Sequence, residues 1–221
     1  MQIRLFIIMT AFVTTLLPGC MKPEPEHVDM VILHLGSGAT PSIARRLEDY
    51  GISYKILDGL VPTQEITRLQ PKALILTGSP DSVLEAGSPR APEGYYHLNI
   101  PVLGLCYGMQ MMVEHLGGRV EKCRCSEKSV VRAKFTGLCD LTPEGVKEMD
   151  VLMDHDDCVV KIPKGFIADA STDITPHAMI CSPQRKLYLI QFHPERADAA
   201  PFSGCILDAF LKKAMGTLPR I

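Results

Sequence analysis

The 221-residue sequence has no marked excess of either charge, no recurring cysteine spacing, no internal repeat and no low-complexity tract. After its first twenty residues it also has no apolar run near the ~20 residues of a membrane-spanning helix. Each absence excludes something. Lys and Arg total 23 against 25 Asp and Glu, a balance that gives no hint of a nucleic-acid surface. Eight cysteines without paired spacing do not resemble a secreted disulfide framework. What is present is ordinary for a globular chain: 46% hydrophobic and 22% charged residues, which excludes wholesale disorder. The length suits one α/β domain better than two. A chain of this size buries roughly 70% of its unfolded surface, enough for a core without covalent staples.

The N-terminus differs from the rest. Arg4 is the only charge before a mainly apolar stretch over residues 5–17, and Leu17-Pro18-Gly19-Cys20 follows. A charged start, an apolar stretch and a small residue before cysteine read as a bacterial lipoprotein leader. The competing reading is an over-extended start, with translation beginning at Met21 or Met30. Residues 1–29 are therefore assigned to a leader and linker, the Pro-rich stretch 22–26 being unstructured. Residues 30–216 form the domain and 217–221 a tail.

From Met30 the pattern becomes regular. Apolar runs at 30–35, 52–57, 73–76 and 101–105 read as strands. Ile43, Leu47 and Tyr50, and later Met109, Met112, Val113 and Leu116, recur at helical spacing. Continuous apolar strands alternating with helices predict a parallel sheet covered on both faces. Beyond Gly118 shorter segments at 130–135, 151–153, 166–170, 178–181 and 187–192 read as further strands, and a last helix covers 203–215. The expected fold is an α/β, flavodoxin-like, open and mostly parallel sheet flanked by helices, with an added antiparallel strand segment.

Gly104-Leu105-Cys106-Tyr107-Gly108 lies where the fourth strand meets the next helix. Glycines on both sides of a potential nucleophile allow a sharp strand-to-helix turn that lifts the side chain above the carboxyl end of the sheet. A helix N-terminus beneath the sulfur favours thiolate. A cysteine nucleophile needs a base, and the base an orienter. Gln191-Phe192-His193-Pro194-Glu195 offers both. Pro194 keeps His193 extended, so positions 193 and 195 project to the same side. Cys106, His193 and Glu195 are the candidate catalytic residues.

These two motifs resemble the signatures of class I (triad) glutamine amidotransferases, and the resemblance runs from about residue 30 to residue 215. Within that superfamily the chain most resembles the glutaminase part of GMP synthase, through residues 34–37, 43–46, 75–82, 100–112, 116–120, 153–157, 162–166 and 170–172. The resemblance implies hydrolysis of L-glutamine to glutamate and ammonia through a glutamyl thioester on Cys106, with no cofactor. It implies oxyanion donors at Tyr107 and in the Gly78-Ser79 turn, and glutamine contacts from Gln110, Asp156 and Asp157. Two positions depart from the family pattern. Ser79 replaces a glycine in the oxyanion turn, and Asp154 replaces the small residue before His155. No metal site is expected: the acidic run around His155 lacks the alternation and turn glycine of a hard-metal loop, and Cys123-Arg124-Cys125 is too close for zinc.

The segment 119–134 carries six basic residues against two acidic ones. It is read as a solvated face, with a docking edge for a synthetase as the alternative. No Ser-Gly-Gly-x-Asp-Ser phosphate loop follows Met215, so a separate ATP-pyrophosphatase subunit that aminates XMP is the expected ammonia acceptor. Other acceptors, or a glutamine-binding regulatory module with weak catalysis, are the alternatives. Because such synthetases are cytoplasmic, the expected location is the cytoplasm, with membrane attachment only if Cys20 is lipidated.

Overall fold

The computed structural model describes residues 27–218, so the leader reading and Cys20 lie outside the described residues. One sheet has a parallel half, made of β1 (Met30–His34), β2 (Tyr54–Asp58), β3 (Ala73–Leu76), β4 (Val102–Leu105) and β11 (Leu187–Ile190). An antiparallel half continues it through β10 (Met179–Ser182), β9 (Ile167–Ser171), β6 (Val130–Phe135) and β7 (Glu148–Leu152). The nine strands lie in the order β2-β1-β3-β4-β11-β10-β9-β6-β7. The expected fold class is therefore the observed one.

The apolar runs explain the layering. Successive residues of a strand face opposite sides. In β1, Met30 and Ile32 join one buried cluster with Ile43 and Leu47 of α1 (Thr40–Asp49) and Ile206 and Phe210 of α4 (Gly204–Met215). Val31 and Leu33 join the other, with Ile66 of α2 (Thr63–Leu69) and Met109, Met112 and Val113 of α3 (Tyr107–His115). Both faces of the parallel half are thus covered.

Three elements depart from the sequence reading. The basic segment is the strand β5 (Arg119–Glu127) followed by β6. The acidic run around His155 leads into the strand β8 (His155–Lys161), which pairs antiparallel with β5 as a separate two-stranded sheet. Helix α2 has little signal in the sequence, because Thr63–Leu69 is short and contains only two buried residues, Ile66 and Leu69. Polar residues hide the strand β5, in which only Val120 and Glu127 are buried.

Cysteine pairing is a correction. Cys123 bonds to Cys158 and Cys139 to Cys181, across separations of 35 and 42 residues. Neither pairing is visible as a spacing motif, because each depends on strands brought together from far apart. Cys106, Cys125 and Cys205 remain free among the described residues.

The tightest backbone approach lies where β4 turns into α3. A Cβ on Gly108 would stand 2.7 Å from the Leu76 carbonyl oxygen and 3.0 Å from that of Thr77; one on Gly104 would stand 3.0 Å from backbone atoms of Gly108 and Met109. The first turn of α3 therefore rests directly on the end of β3. Gly108→Ala is expected to lose about 1–3 kcal/mol of stability, the range for overpacking, read as a lower denaturant midpoint. Gly38→Ala, where an added Cβ meets nothing within 4 Å, should be close to neutral in the same assay.

Candidate active site

Cys106 is the pivot between β4 and α3, and its backbone has φ 49° and ψ −108°. A non-glycine residue there is strained by on the order of 1–3 kcal/mol. It is held from both sides: its N–H donates to the Ile190 carbonyl at 2.7 Å, and its carbonyl accepts the first helical bond from Gln110 at 3.1 Å. The side chain is almost buried, at 6% exposure. The first turn of α3 leaves the Tyr107 N–H without an intrahelical acceptor, on the side of the sulfur.

The other two candidate residues arrive from β11, the parallel neighbour of β4, with Ile190 in register with Leu105. The chain leaves that strand at the carboxyl edge of the sheet, and the His193 N–H donates to the Leu152 carbonyl at the end of β7. His193 Nδ1 lies 2.8 Å from Glu195 Oε1, and the Glu195 carboxylate is buried. Burial works against a charged His193, but hydrogen bonding and attraction from Cys106 and Glu195 outweigh it. They hold the imidazole pKa well above its ordinary value. The ring is thus hydrogen-bonded to Glu195 on one side and to Cys106 on the other.

The Gly78-Ser79 turn follows β3 and approaches the same point. A Cβ on Gly78 would be 3.6 Å from the Cys106 Cβ and 3.8 Å from the His193 ring. Ser79 turns its hydroxyl away from the sulfur, donating to Asp81 Oδ2 at 2.9 Å and accepting from the Asp81 N–H at 3.2 Å. Gly78, Ser79 and Tyr107 thus lie next to Cys106.

On one side of Cys106 a cleft of about 420 Å³ is lined by Ser79, Tyr107, Gln110, Lys122, Asp156 and Asp157, among others. A smaller hollow of about 280 Å³ on the other side is bordered by Gly36, Ser37, Gly78, His193 and Arg196. The first cleft brings together all three expected glutamine contacts. Gln110 is buried, and its amide donates to the Asp157 carbonyl at 2.9 Å. The buried Asp157 carboxylate accepts from Ser82 and pairs with Lys122 at 2.8 Å. Asp156 is exposed; bonds from Lys128 and Ser126 hold its carboxyl below the usual range.

One residue at this site carries no role in the sequence reading. The buried Gln191 amide donates to Cys106 Sγ at 3.6 Å and accepts from the Gln110 amide at 3.1 Å. It links the sulfur to the wall of the cleft, and its signal is its place in the motif that carries His193. The acidic run around His155 does not converge on a common point: Asp154 and Asp156 are exposed, while His155 is buried. His155 instead lies against the Cys123–Cys158 bond, with all three ligand-type atoms within 4.8 Å of one another. Of the six basic residues in 119–134, five are ion-paired: Arg119 with Glu121, Lys122 with Asp157, Lys128 with Asp156, Arg132 with Asp150 and Lys134 with Asp173.

A cysteine at a strained turn, an imidazole beside it and a carboxylate behind the imidazole can form and hydrolyse an acyl-thioester. Comparisons with known proteins agree with that chemistry. The family model for class-I glutamine amidotransferases matches residues 31–213. GMP synthase [glutamine-hydrolyzing] of Marinobacter nauticus is 45% identical over 174 residues, covering 75% of this chain and 33% of its own length. The same enzyme of Alcanivorax borkumensis is 38% identical over 191 residues, covering 83% and 36%. The chain thus spans about a third of the length of these relatives. Among solved structures, a protein described as one subunit of GMP synthase, from Thermoplasma acidophilum, superposes with a TM-score of 0.73 at 22% identity, covering 86% of this chain and 96% of that one. A glutamine amidotransferase from Thermotoga maritima gives 0.68 at 15%, covering 87% and 100%, and shares the fold. With the family model matched over most of its length, the chain belongs to the class-I glutamine amidotransferase family.

Proposed function

We propose that this chain hydrolyses L-glutamine to glutamate and ammonia and passes the ammonia to a separate ATP-pyrophosphatase chain that aminates XMP. The supporting observation is the convergence of His193 and Glu195 on Cys106, which itself lines a cleft walled by Gln110, Asp156 and Asp157. The Cys106 thiol gives its proton to His193 as its sulfur attacks the glutamine carboxamide. The resulting oxyanion is held by backbone N–H groups of Tyr107 and of the Gly78-Ser79 turn. His193 gives its proton to departing ammonia, then takes one from the water that opens the thioester. Glu195 fixes the ring and favours its charge. Gln110 positions the wall strand through the Asp157 carbonyl, while Asp156 and Asp157 meet the amino-acid end of glutamine.

The partner reading rests on similarity to GMP synthases of which this chain covers only about a third. The basic edge over 119–134 is a weak docking candidate, because five of its six cations are already paired with acids. For location, we place the chain in the cytoplasm beside its synthetase; no helix among the described residues is long and apolar enough to cross a membrane. An exported form is the second reading, favoured by the two disulfides, which are rare in reducing compartments. Cell fractionation with N-terminal sequencing separates the two: a diacylated Cys20 in the membrane fraction selects the exported form.

Cys106→Ala should lower glutaminase turnover on the order of 10⁴-fold or more, and His193→Ala nearly as far, because nucleophile and base act as one unit. Glu195→Gln should be milder, roughly 10²-fold, and should also move the pH profile. A proton donor with a raised pKa sustains activity below that pKa and loses it as pH rises through it. Removing the Glu195 charge lowers the His193 pKa, so the alkaline limb should move toward lower pH. A limb unmoved in Glu195→Gln contradicts the assigned orienter.

Ser79 generates a further expectation. Its hydroxyl is anchored to Asp81, and a side chain at this turn restricts the peptide rotation that presents an oxyanion donor. One missing donor lowers turnover on the order of 10²–10³-fold. The isolated chain should therefore be slow, and should be accelerated by a cognate ATP-pyrophosphatase chain with XMP and ATP. Ser79→Gly should raise the basal rate. Fast turnover alone, unchanged by partner and by Ser79→Gly, contradicts the gating.

A further inference from the structure

The two disulfides differ in their surroundings. Cys139 and Cys181 are 1% and 0% exposed and belong to the core, beyond reach of a reductant. In the other pair Cys158 is buried but Cys123 is half-exposed. His155 Nδ1 lies 3.4 Å from Cys123 Sγ, and Thr175 Oγ1 lies 3.8 Å from Cys158 Sγ. An accessible sulfur beside a buried leaving sulfur, with a histidine and a hydroxyl at hand, is how an exchangeable rather than a purely structural disulfide is built.

The position of this bond matters more than its exchangeability. After a register shift between Arg119 and Val120, β5 and β8 pair in step from Val120 opposite Val159 to Lys122 opposite Asp157; pairing resumes only with Glu127 opposite His155. Residues 123–126 are thus an insertion on β5 with no ladder partner, facing the segment of β8 that carries Asp156 and Asp157. The Cys123–Cys158 bond closes the near end of that insertion, and the Ser126 and Lys128 bonds to Asp156 close the far end. Lys122 and Asp157, the residues just before the two cysteines, are paired in the wall of the cleft.

We propose that Cys123–Cys158 is a thiol–disulfide exchange site for a dithiol reductant, and that its redox state sets the affinity of the neighbouring cleft for glutamine. This rests on the glutaminase reading of that cleft. A reductant thiolate attacks Cys123 Sγ, forming a mixed disulfide and releasing Cys158 as a thiolate that takes up a proton. The reductant's second thiolate then attacks its own sulfur in the mixed disulfide and releases Cys123, which is protonated. The protein gains two electrons and two protons; the dithiol becomes a cyclic disulfide. Reduction frees the insertion at residues 123–126 and loosens the Lys122–Asp157 wall, while Cys106, His193 and Glu195, held by other elements, keep their arrangement.

The test equilibrates the purified full chain in mixtures of reduced and oxidised dithiothreitol, then measures glutaminase kinetics and, after alkylation, thiol occupancy by peptide mass mapping. Cys123 and Cys158 should become alkylated together, at a more oxidising poise than Cys139 and Cys181. Across that transition the glutamine KM should rise roughly fivefold or more with kcat little changed. The double variant Cys123→Ser/Cys158→Ser should hold the reduced-state KM in every mixture. Calorimetric glutamine binding to Cys106→Ala provides a readout that needs no turnover, so an inactive chain would count against the glutaminase reading alone. Reduction of Cys139–Cys181 first, or an affinity unchanged once Cys123 and Cys158 are fully alkylated, overturns the proposal.

Discussion

The site depends on one local constraint, the reversal of the chain at Cys106. β4 ends, α3 begins, and the residue between them is left at positive φ. A left-handed non-glycine residue is unfavourable by itself and persists only where its surroundings over-determine it. Here the Cys106 N–H is tied to β11 through Ile190, while α3 is pressed onto the end of β3 so closely that Gly104 and Gly108 leave no room for a Cβ. The three central parallel strands thus fix one backbone conformation, and that conformation presents the sulfur at the carboxyl edge of the sheet.

Everything else at the site is placed relative to that reversal. The bond that tethers the Cys106 N–H ends on Ile190, the last residue of the strand that leads into His193 and Glu195. The sulfur and its imidazole are therefore positioned by one pair of neighbouring strands, and the high pKa of His193 follows from that proximity. The cleft wall has a different origin. It is supplied by β5 and β8, a two-stranded sheet outside the main one, joined to the core by buried Val120 and Val159 beside α3 and by the Gln110 bond to the Asp157 carbonyl.

The parallel half of the fold is legible in the sequence because its strands are buried on both faces and read as unbroken apolar runs. The turn at Cys106 is legible because glycines flank it closely, and the His193–Glu195 pair because both stand in one short motif, although the chain there is not extended as expected: it turns at Pro194-Glu195, where the Arg196 N–H donates to the His193 carbonyl at 3.1 Å. β5 and β8 are not legible: they are polar on exposed faces, interrupted by an insertion and paired across more than thirty residues. The disulfide Cys123–Cys158 is hidden for the same reason, since it exists only once those strands are side by side. Gln191 is in plain view within its motif, yet its contact with Cys106 Sγ requires β4 and β11 to be neighbours. Chemistry held by adjacent residues can be read from the chain; chemistry held by strand pairing cannot.

The central claim, that Cys106 is the nucleophile of a glutaminase, is tested most directly by covalent labelling. A diazo-ketone analogue of glutamine transfers its carbon skeleton only to a nucleophile poised at the glutamine carboxamide. Incubation with the analogue, followed by peptide mass mapping, should place one adduct on Cys106 and none on Cys125 or Cys205, and excess glutamine should protect against it. An adduct on another cysteine, or labelling of Cys106 that glutamine does not slow, would contradict the account.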